Sequence, residues 1–332
     1  VHLQGNIYCW QNIRNVRVSV VLCTYNGEKY LQEQLNSLLE QTRLPDELIV
    51  VDDQSTDRTL PIVFNFVHTA IFPTTIYHNS ENIGVTDNYA RGTALAHGDI
   101  IFYCDQDDIW KRDKIANFCK VFDDNPDEVL VFSNGECVDA SLNPLGYTIW
   151  ESVGFDKTRR DIWRNDKKFD VLMKSNVVTG AAMAVKREFA MAVMPFSPVW
   201  IHDGWLAILA AANGHGHLIS ENTILYRQHD KNQIGATKLS ISEKVINAKF
   251  KGKSGILLQI ARYFDLLQRL QDNEADDELL HLVIAKLMHL QKREDLQGNI
   301  FKRIMPICNE LFNGNYHKYS NGLVSAIRDL VI

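Results

Sequence analysis

Three carboxylates within four residues, Asp105, Asp107 and Asp108, directly follow the apolar run Ile100-Ile101-Phe102-Tyr103-Cys104, with Gln106 between the first two. A buried strand that ends in such a cluster carries an electrostatic cost, because close like charges repel and raise one another's pKa. A divalent cation removes that conflict. Hard cations such as Mg2+ prefer oxygen ligands, and they often sit between one or two carboxylates and a substrate's phosphates. The cluster therefore points to metal-assisted chemistry on a phosphorylated ligand. Taken alone, it reads equally well as a solvated acidic loop in which Asp108 caps a following helix.

The segments that would position these acids alternate regularly. Residues 17–23 (RVSVVLC) read as a buried strand, broken by Thr24-Tyr25-Asn26-Gly27. From Glu28 to Gln41, Tyr30, Leu31, Leu35, Leu38 and Leu39 recur with helical spacing. Glu47 to Val51 is a second strand, ending at Asp52-Asp53. Ser55-Thr56-Asp57 supplies helix-start chemistry before the run Leu60 to Val67. A strand at Thr75 to His78, a turn at Asn82-Ile83-Gly84, a helix from Asp87 to His97 and a strand from Asp99 to Cys104 complete the order β-α-β-α-β-α-β. That order predicts a mainly parallel sheet covered by helices on both faces. Ligands bind such sheets beyond the carboxyl ends of the strands. The clusters at Thr24-Tyr25-Asn26, Asp52-Asp53 and Asp105 to Asp108 all fall there, so they are expected to converge.

The second half changes character. Val129 to Ser133 reads as another strand, and Trp150 to Lys168, polar, aromatic and basic, as a loop near the site. In residues 174–185 (KSNVVTGAAMAV), Gly180 stands where backbone can approach a ligand closely. Ile201-His202-Asp203-Gly204-Trp205 opens an apolar helix that runs to Ala212, and His217 to Leu225 is strand-like. From Ser240 onward the chain reads as helices. One stripe is Ile256, Leu257, Ile260, Phe264, Leu267 and Leu270; another is Leu279, Leu280, Leu282, Val283, Leu287 and Leu290. The expected division is an N-terminal extension at 1–16, an α/β domain at 17–238 and a helical region at 239–332.

Bulk composition narrows the function classes. The 332 residues are 45% hydrophobic and 23% charged, which suits one large globular domain with an appendage. A net charge of -6 argues against nucleic acid as the main partner. No apolar stretch reaches the roughly 18 residues needed to span a bilayer. The opening residues Val1-His2-Leu3-Gln4-Gly5-Asn6 lack the basic-then-apolar pattern of a secretory signal. A cytoplasmic location is expected, including the inner face of the plasma membrane. Cys9, Cys23, Cys104, Cys119, Cys137 and Cys308 form no C-x-x-C pair and read as reduced structural thiols.

The motifs VSVVLCTYNGEKYLQEQLNSLLEQT, ELIVVDDQSTDRT, NIGVTDNYARGTALAHGDIIFYCDQDDIW, HDGW and YRQHDKNQIG occur in this order between Arg17 and Gly235. Together they resemble the inverting, metal-dependent glycosyltransferases of family 2, which have the GT-A fold. DQDDIW, HDGW and YRQH look most like the bacterial rhamnosyltransferase-like branch, which builds O-antigen, capsule and other cell-wall polysaccharide. The resemblance implies a nucleotide-sugar donor, with dTDP-L-rhamnose the first choice, a glycan or lipid-linked oligosaccharide acceptor, and Mg2+ or Mn2+ as cofactor.

The resemblance also implies roles. Thr24, Tyr25 and Asn26 would line the nucleoside pocket, with Tyr25 offering an aromatic face. Asp53 would accept the pyrimidine ring N–H, with Asp52 either its substitute or the residue that orients the loop. Asp57 would cap its helix. Glu28, Asn82, Asn88, Arg91, Gln106 and Gly180 complete the expected substrate-binding set. Asp105 would face the ribose, and Asp107 would ligate the metal together with His229. Asp203 would be the catalytic base, favoured at a helix start by the dipole. Gly204 departs from the bulky residue expected between Asp203 and Trp205. Trp205 would either stack on a sugar or anchor its helix. Arg227 and Lys231 would either contact phosphate or be surface charge.

Other readings compete. The same fold with a UDP-hexose or UDP-N-acetylhexosamine donor is the nearest. A phospho-acceptor receiver domain would need its acidic pair after the first strand, whereas here it follows the second. A non-catalytic nucleotide-sugar-binding module would not need the acids Asp105, Asp107 and Asp203. The helical tail would pack on the catalytic domain, pair two copies of the chain, or rest on a membrane.

Overall fold

The computed structural model describes residues 16–230 and 241–331, with the backbone alone for 241–253. Strands β1 (Val18–Thr24), β2 (Glu47–Asp52), β3 (Thr74–His78) and β4 (Ile100–Cys104) alternate with helices α1 (Leu31–Leu39), α2 (Thr59–Val67) and α3 (Val85–Leu95). The strands lie in the order β3-β2-β1-β4, and every neighbouring pair is parallel. All seven residues of β1 and all five of β4 are buried, as strands with both faces covered must be. α3 presses on β1 and β2. A Cβ on Gly92 would stand 2.3 Å from Val21 Cγ1, so this approach needs a glycine.

Register turns these strands into a platform. Thr24 pairs with Asp52, Asp52 pairs with His78, and Leu22 pairs with Cys104. The four strands therefore end at one edge, and the three polar clusters leave the sheet side by side.

Next come β5 (Ile109–Trp110), α4 (Lys114–Asp124), β6 (Leu130–Val138) and β7 (Pro144–Thr148). They are followed by α5 (Ile149–Ser152), α6 (Lys157–Arg164), α7 (Lys168–Lys174), β8 (Met183–Lys186), α8 (Arg187–Ala192), α9 (His202–Ala212) and β9 (His217–Arg227). The sheet continues β4-β8-β6-β9-β5, with β7 beside β6. Directions now mix: β8 is antiparallel to β4 and β6, β9 is parallel to β6, and β5 is antiparallel to β9. The uniformly parallel character belongs to β1 through β4.

Trp150 to Lys168 is not the loop that its composition suggests; it forms most of α5, α6 and the start of α7. Thr148 and Glu151 close a capping box on α5, and Asp156 accepts from the Arg159 amide at the head of α6. These caps satisfy amides that helix starts leave bare. Trp150, Phe155 and Trp163 turn inward onto Phe132.

The C-terminal helices are α10 (Ile241–Asp272), α11 (Asp277–Glu294), α12 (Ile300–Phe312), α13 (Asn315–Tyr319) and α14 (Leu323–Val331). α10 and α11 pack together, and both grip main-chain carbonyls of the α/β part. Arg262 Nε donates to Val199 O at 2.7 Å and Arg269 Nη1 to Val193 O at 3.0 Å. The Tyr263 hydroxyl donates to Met173 O at 3.2 Å, and Lys286 Nζ to the same oxygen at 3.0 Å. No described helix is long and apolar enough to cross a membrane. The expected boundary at 238/239 and nearly all of the N-terminal extension lie outside the described residues.

Candidate active site

At the strand ends lies a cleft of about 740 Å3. Thr24, Tyr25, Asp53 and Asn88 border one side, Asp105, Gln106 and Asp107 another, and Gly180 and Asp203 a third. Residues from the three polar clusters thus meet, with Asp203 joining them from the second half of the chain.

The nucleoside-like side is built by hydrogen bonds between loops. Thr24 donates its hydroxyl to Asp52 Oδ1 at 2.7 Å. Asp52, fully buried, also accepts from the Ser55 amide and hydroxyl and meets His78 Nδ1 at 3.0 Å. Asp52 therefore organises its loop from within, while Asp53 borders the cleft. Asp53 Oδ1 accepts from Asn79 Nδ2 at 2.7 Å and the Ile83 amide at 2.8 Å, and Oδ2 from the Gly84 amide at 2.9 Å. A carboxylate has about four acceptor sites, so one on Asp53 stays available. Gln106 binds the Tyr25 main chain in both directions, N–H to Oε1 at 2.9 Å and Nε2 to carbonyl at 3.0 Å. Tyr25 is thereby presented 42% exposed.

The acidic side carries strained charge. Burial, and then Asp107, push the Asp105 carboxyl up to about 6, although it accepts a hydrogen bond from the Tyr89 hydroxyl. Asp108 is fully buried. Its Oδ1 accepts from the Arg227 amide at 3.0 Å, and its Oδ2 has no partner among the described residues. Burial first, then Asp107 and Asp105, raise its pKa well above the usual range. Asp108 does not cap a helix: strand β5 follows it, and α4 begins only at Lys114. Lys114 is buried close to this cluster, its ammonium 3.8 Å from the Trp110 ring centre and hydrogen-bonded to the Ala181 carbonyl. Burial lowers its pKa to about 7 against the pull of Cys104, Asp108 and Asp105.

Asp107 Oδ2 lies 2.8 Å from His229 Nε2. Among the described residues no group of three or more metal-binding side chains exists. Asp107 borders the cleft, and a carboxylate there with an imidazole beside it suits a hard cation that completes its shell with phosphate oxygens and water.

Asp203 sits in the first turn of α9. Its carboxylate accepts from Asn176 Nδ2 at 3.0 Å, from the Gly180 amide at 3.1 Å and from the Gly204 amide. Burial still raises its pKa to about 6. Beside it, His202 is 3% exposed, and neither ring nitrogen has a partner among the described residues. Its ring lies 4.0 Å from that of Tyr89, and burial lowers its pKa to about 3, so the imidazole is neutral.

The family model described as Glycosyl transferase family 2 matches residues 19–189. The chain belongs to glycosyl transferase family 2. It is 28% identical over 278 residues to a dTDP-rhamnosyl transferase, RfbG, of Shigella flexneri, covering 80% of this chain and 88% of that one. An uncharacterized glycosyltransferase of Nostoc is also 28% identical, over 271 residues and 77% of each chain. Among solved structures, S. aureus TarS 1-349 in complex with UDP-GlcNAc superposes with a TM-score of 0.60 at 16% identity, covering 95% of this chain and 90% of that one. The fold is GT-A, with C-terminal helices added, and the protein is a glycosyltransferase.

Several residues expected in the glycosyltransferase site stand behind it. Asn26 Oδ1 accepts from the Thr56 amide at 2.8 Å, and Glu28 Oε2 from the Arg58 amide at 3.1 Å, joining neighbouring loops. Asp57 caps its helix from two residues ahead, accepting from the Thr59 amide at 2.9 Å. Asn82 donates to the Asp53 carbonyl at 3.1 Å, and Arg91 bonds Asn79. Trp205 is 1% exposed, with its indole N–H on the Val193 carbonyl, so it anchors α9 and offers no face to a sugar. Arg227 is 1% exposed and does not meet ligand phosphate. Its guanidinium donates to the Asp107 and Ala140 carbonyls and pairs with Glu33. Lys231 lies outside the described residues. His202, Lys174, Asn176 and Arg262 border the cleft without having been singled out.

Proposed function

We propose that the enzyme transfers a sugar, L-rhamnose from dTDP-L-rhamnose as first choice, with inversion, to a glycan or lipid-linked glycan acceptor in bacterial cell-surface polysaccharide synthesis. The observation that carries the reading is one cleft bordered by Tyr25 and Asp53, by Asp105 and Asp107, and by Asp203. Tyr25 offers an exposed ring to the base, and the remaining acceptor site of Asp53 suits a pyrimidine N–H. The similarity to a dTDP-rhamnosyl transferase supports the choice of donor.

Asp107 and His229 would hold Mg2+ or Mn2+, with Asp105 beside them. Such a cation would supply positive charge to offset the negative charge gathering on the leaving diphosphate. Asp203 takes the proton of the acceptor hydroxyl as that oxygen attacks the anomeric carbon from the side opposite the diphosphate. A general base works best with a pKa near operating pH, and the raised value of Asp203 suits that task. Asn176 and the Gly180 amide hold the carboxylate in place. Arg262 and Lys174 border the same cleft, and they would meet an anionic part of the acceptor, such as the phosphate of a lipid-linked glycan.

A panel of dTDP-, UDP-, GDP- and CMP-sugars, assayed with Mn2+ for hydrolysis and transfer, tests the reading. Turnover of dTDP-L-rhamnose to an inverted product supports it. Preference for a UDP-hexose or UDP-N-acetylhexosamine would keep the reaction and replace the donor; that alternative has support from the TarS likeness. Tighter binding of GDP than of dTDP or UDP would overturn the pyrimidine pocket.

A further inference from the structure

The outward sides of α12 and α14 carry large apolar residues. On α12, Phe301, Ile304, Met305 and Phe312 follow one helical stripe and are 78%, 42%, 72% and 90% exposed. On α14, Leu323, Ile327 and Val331 recur every four residues and are also exposed. The two helices pack on each other, and their inward side chains Ile307 and Ala326 form a small separate core with Tyr316 of α13. The outward stripes are therefore left over after folding. Exposed apolar surface of this kind marks an interaction site.

Charge around the stripes is one-sided. Residues 296–331 contain two carboxylates, Glu310 and Asp329, in a protein of net charge -6. Both are buried: Glu310 meets His289 and Lys292, and Asp329 meets Arg293 and Tyr316. Lys302 and Lys318 are exposed, and Arg303 and Arg328 are half-buried. The face thus shows large apolar side chains and cations with no exposed acid among these residues.

We propose that this face docks the protein on an anionic lipid bilayer, with Phe301, Met305 and Phe312 entering the headgroup region. Apolar residues flanked by lysine and arginine are what an interfacial helix needs. Anionic lipid attracts each cation near the surface. A second copy fits poorly. A two-fold interface sets the same patch against itself, so it would bring together two surfaces on which Lys302 and Lys318 are exposed while no acid of residues 296–331 is. The inference goes beyond the catalytic reading and does not depend on it.

The test is flotation of the full chain with vesicles of phosphatidylcholine alone, and of phosphatidylcholine mixed with phosphatidylglycerol. The expected result is binding to the mixed vesicles, weakened by salt, and about tenfold less to phosphatidylcholine alone. The double variant Phe301→Ser, Phe312→Ser should lose binding. Lys302→Glu with Lys318→Glu should lose the preference for phosphatidylglycerol. All four side chains are exposed, so circular dichroism and Tm should not change. No binding to mixed vesicles, or equal binding by both double variants, overturns the proposal. So does a dimer in light scattering that the serine variant dissolves, if vesicles do not bind; the face would then be a subunit interface.

Discussion

The halves of the cleft proposed to face the donor and the acceptor are built by different means. On the donor side, four parallel strands end in register, and each end delivers a polar cluster to the same edge. Neighbouring strands there pair in parallel, and their loops are tied by short bonds such as Gln106 to Tyr25. On the acceptor side, Asp203 depends on Asn176 and Gly180 from another segment, and the wall beyond it includes Arg262 from α10. The first half is positioned by strand pairing within the sheet, the second by hydrogen bonds between α9 and segments that do not pair with it as strands. A single substitution should therefore disturb the two halves differently.

The largest effect should come from the donor half. Asp107→Ala should lower transfer by about 1000-fold or more by removing a metal contact, with Tm little changed, and EDTA should do the same to the wild type. Full activity of either would break the metal role. Next is Asp203→Asn, which should lower kcat about 100-fold while dTDP affinity by calorimetry stays level. NMR showing retained anomeric configuration would remove Asp203 as base in a single displacement.

A pH profile sharpens the contrast further. Asp203 acts as a base only when ionised, and its pKa is raised to about 6. Turnover should therefore fall as pH drops below that value, by about tenfold per unit. The residual activity of Asp203→Asn should lack that limb. The smallest effect belongs to Trp205→Phe. It should reduce stability by about 1–2 kcal/mol through lost packing, seen as a lower Tm, and leave both KM values unchanged. A large rise in the acceptor KM alone would restore Trp205 to the site.

The contrast also explains what could be read from sequence. Strands β1, β2 and β4 were visible because doubly covered parallel strands are unbroken apolar runs, and the acids stood out because they end such runs. Trp150 to Lys168 misled because its aromatic residues point inward while its charges fill the outer face. The capping box of Thr148 and Glu151 was the available signal. Asp108 reads as a cap only if a helix follows, and a two-residue strand follows instead. Arg227 looked like a phosphate contact because nothing in its neighbourhood announces Glu33, nearly two hundred residues earlier. Lys114 and Arg262 belong to no local pattern; only tertiary contact gives each its place.

The grip of the last helices on main-chain carbonyls matters for anyone who would re-engineer the protein. Lys286 and Tyr263 both hold the Met173 oxygen, three residues before Asn176, which holds Asp203. A shortened version lacking α10 to α14 would strip partners from the carbonyls of Met173, Val193 and Val199 near the segment that aligns Asp203. Exchanging tails between related enzymes would carry the same penalty unless those contacts travelled with them. α10 and α11 are a back brace for the Asp203 side of the cleft, and a transplanted α/β part would need to carry them along.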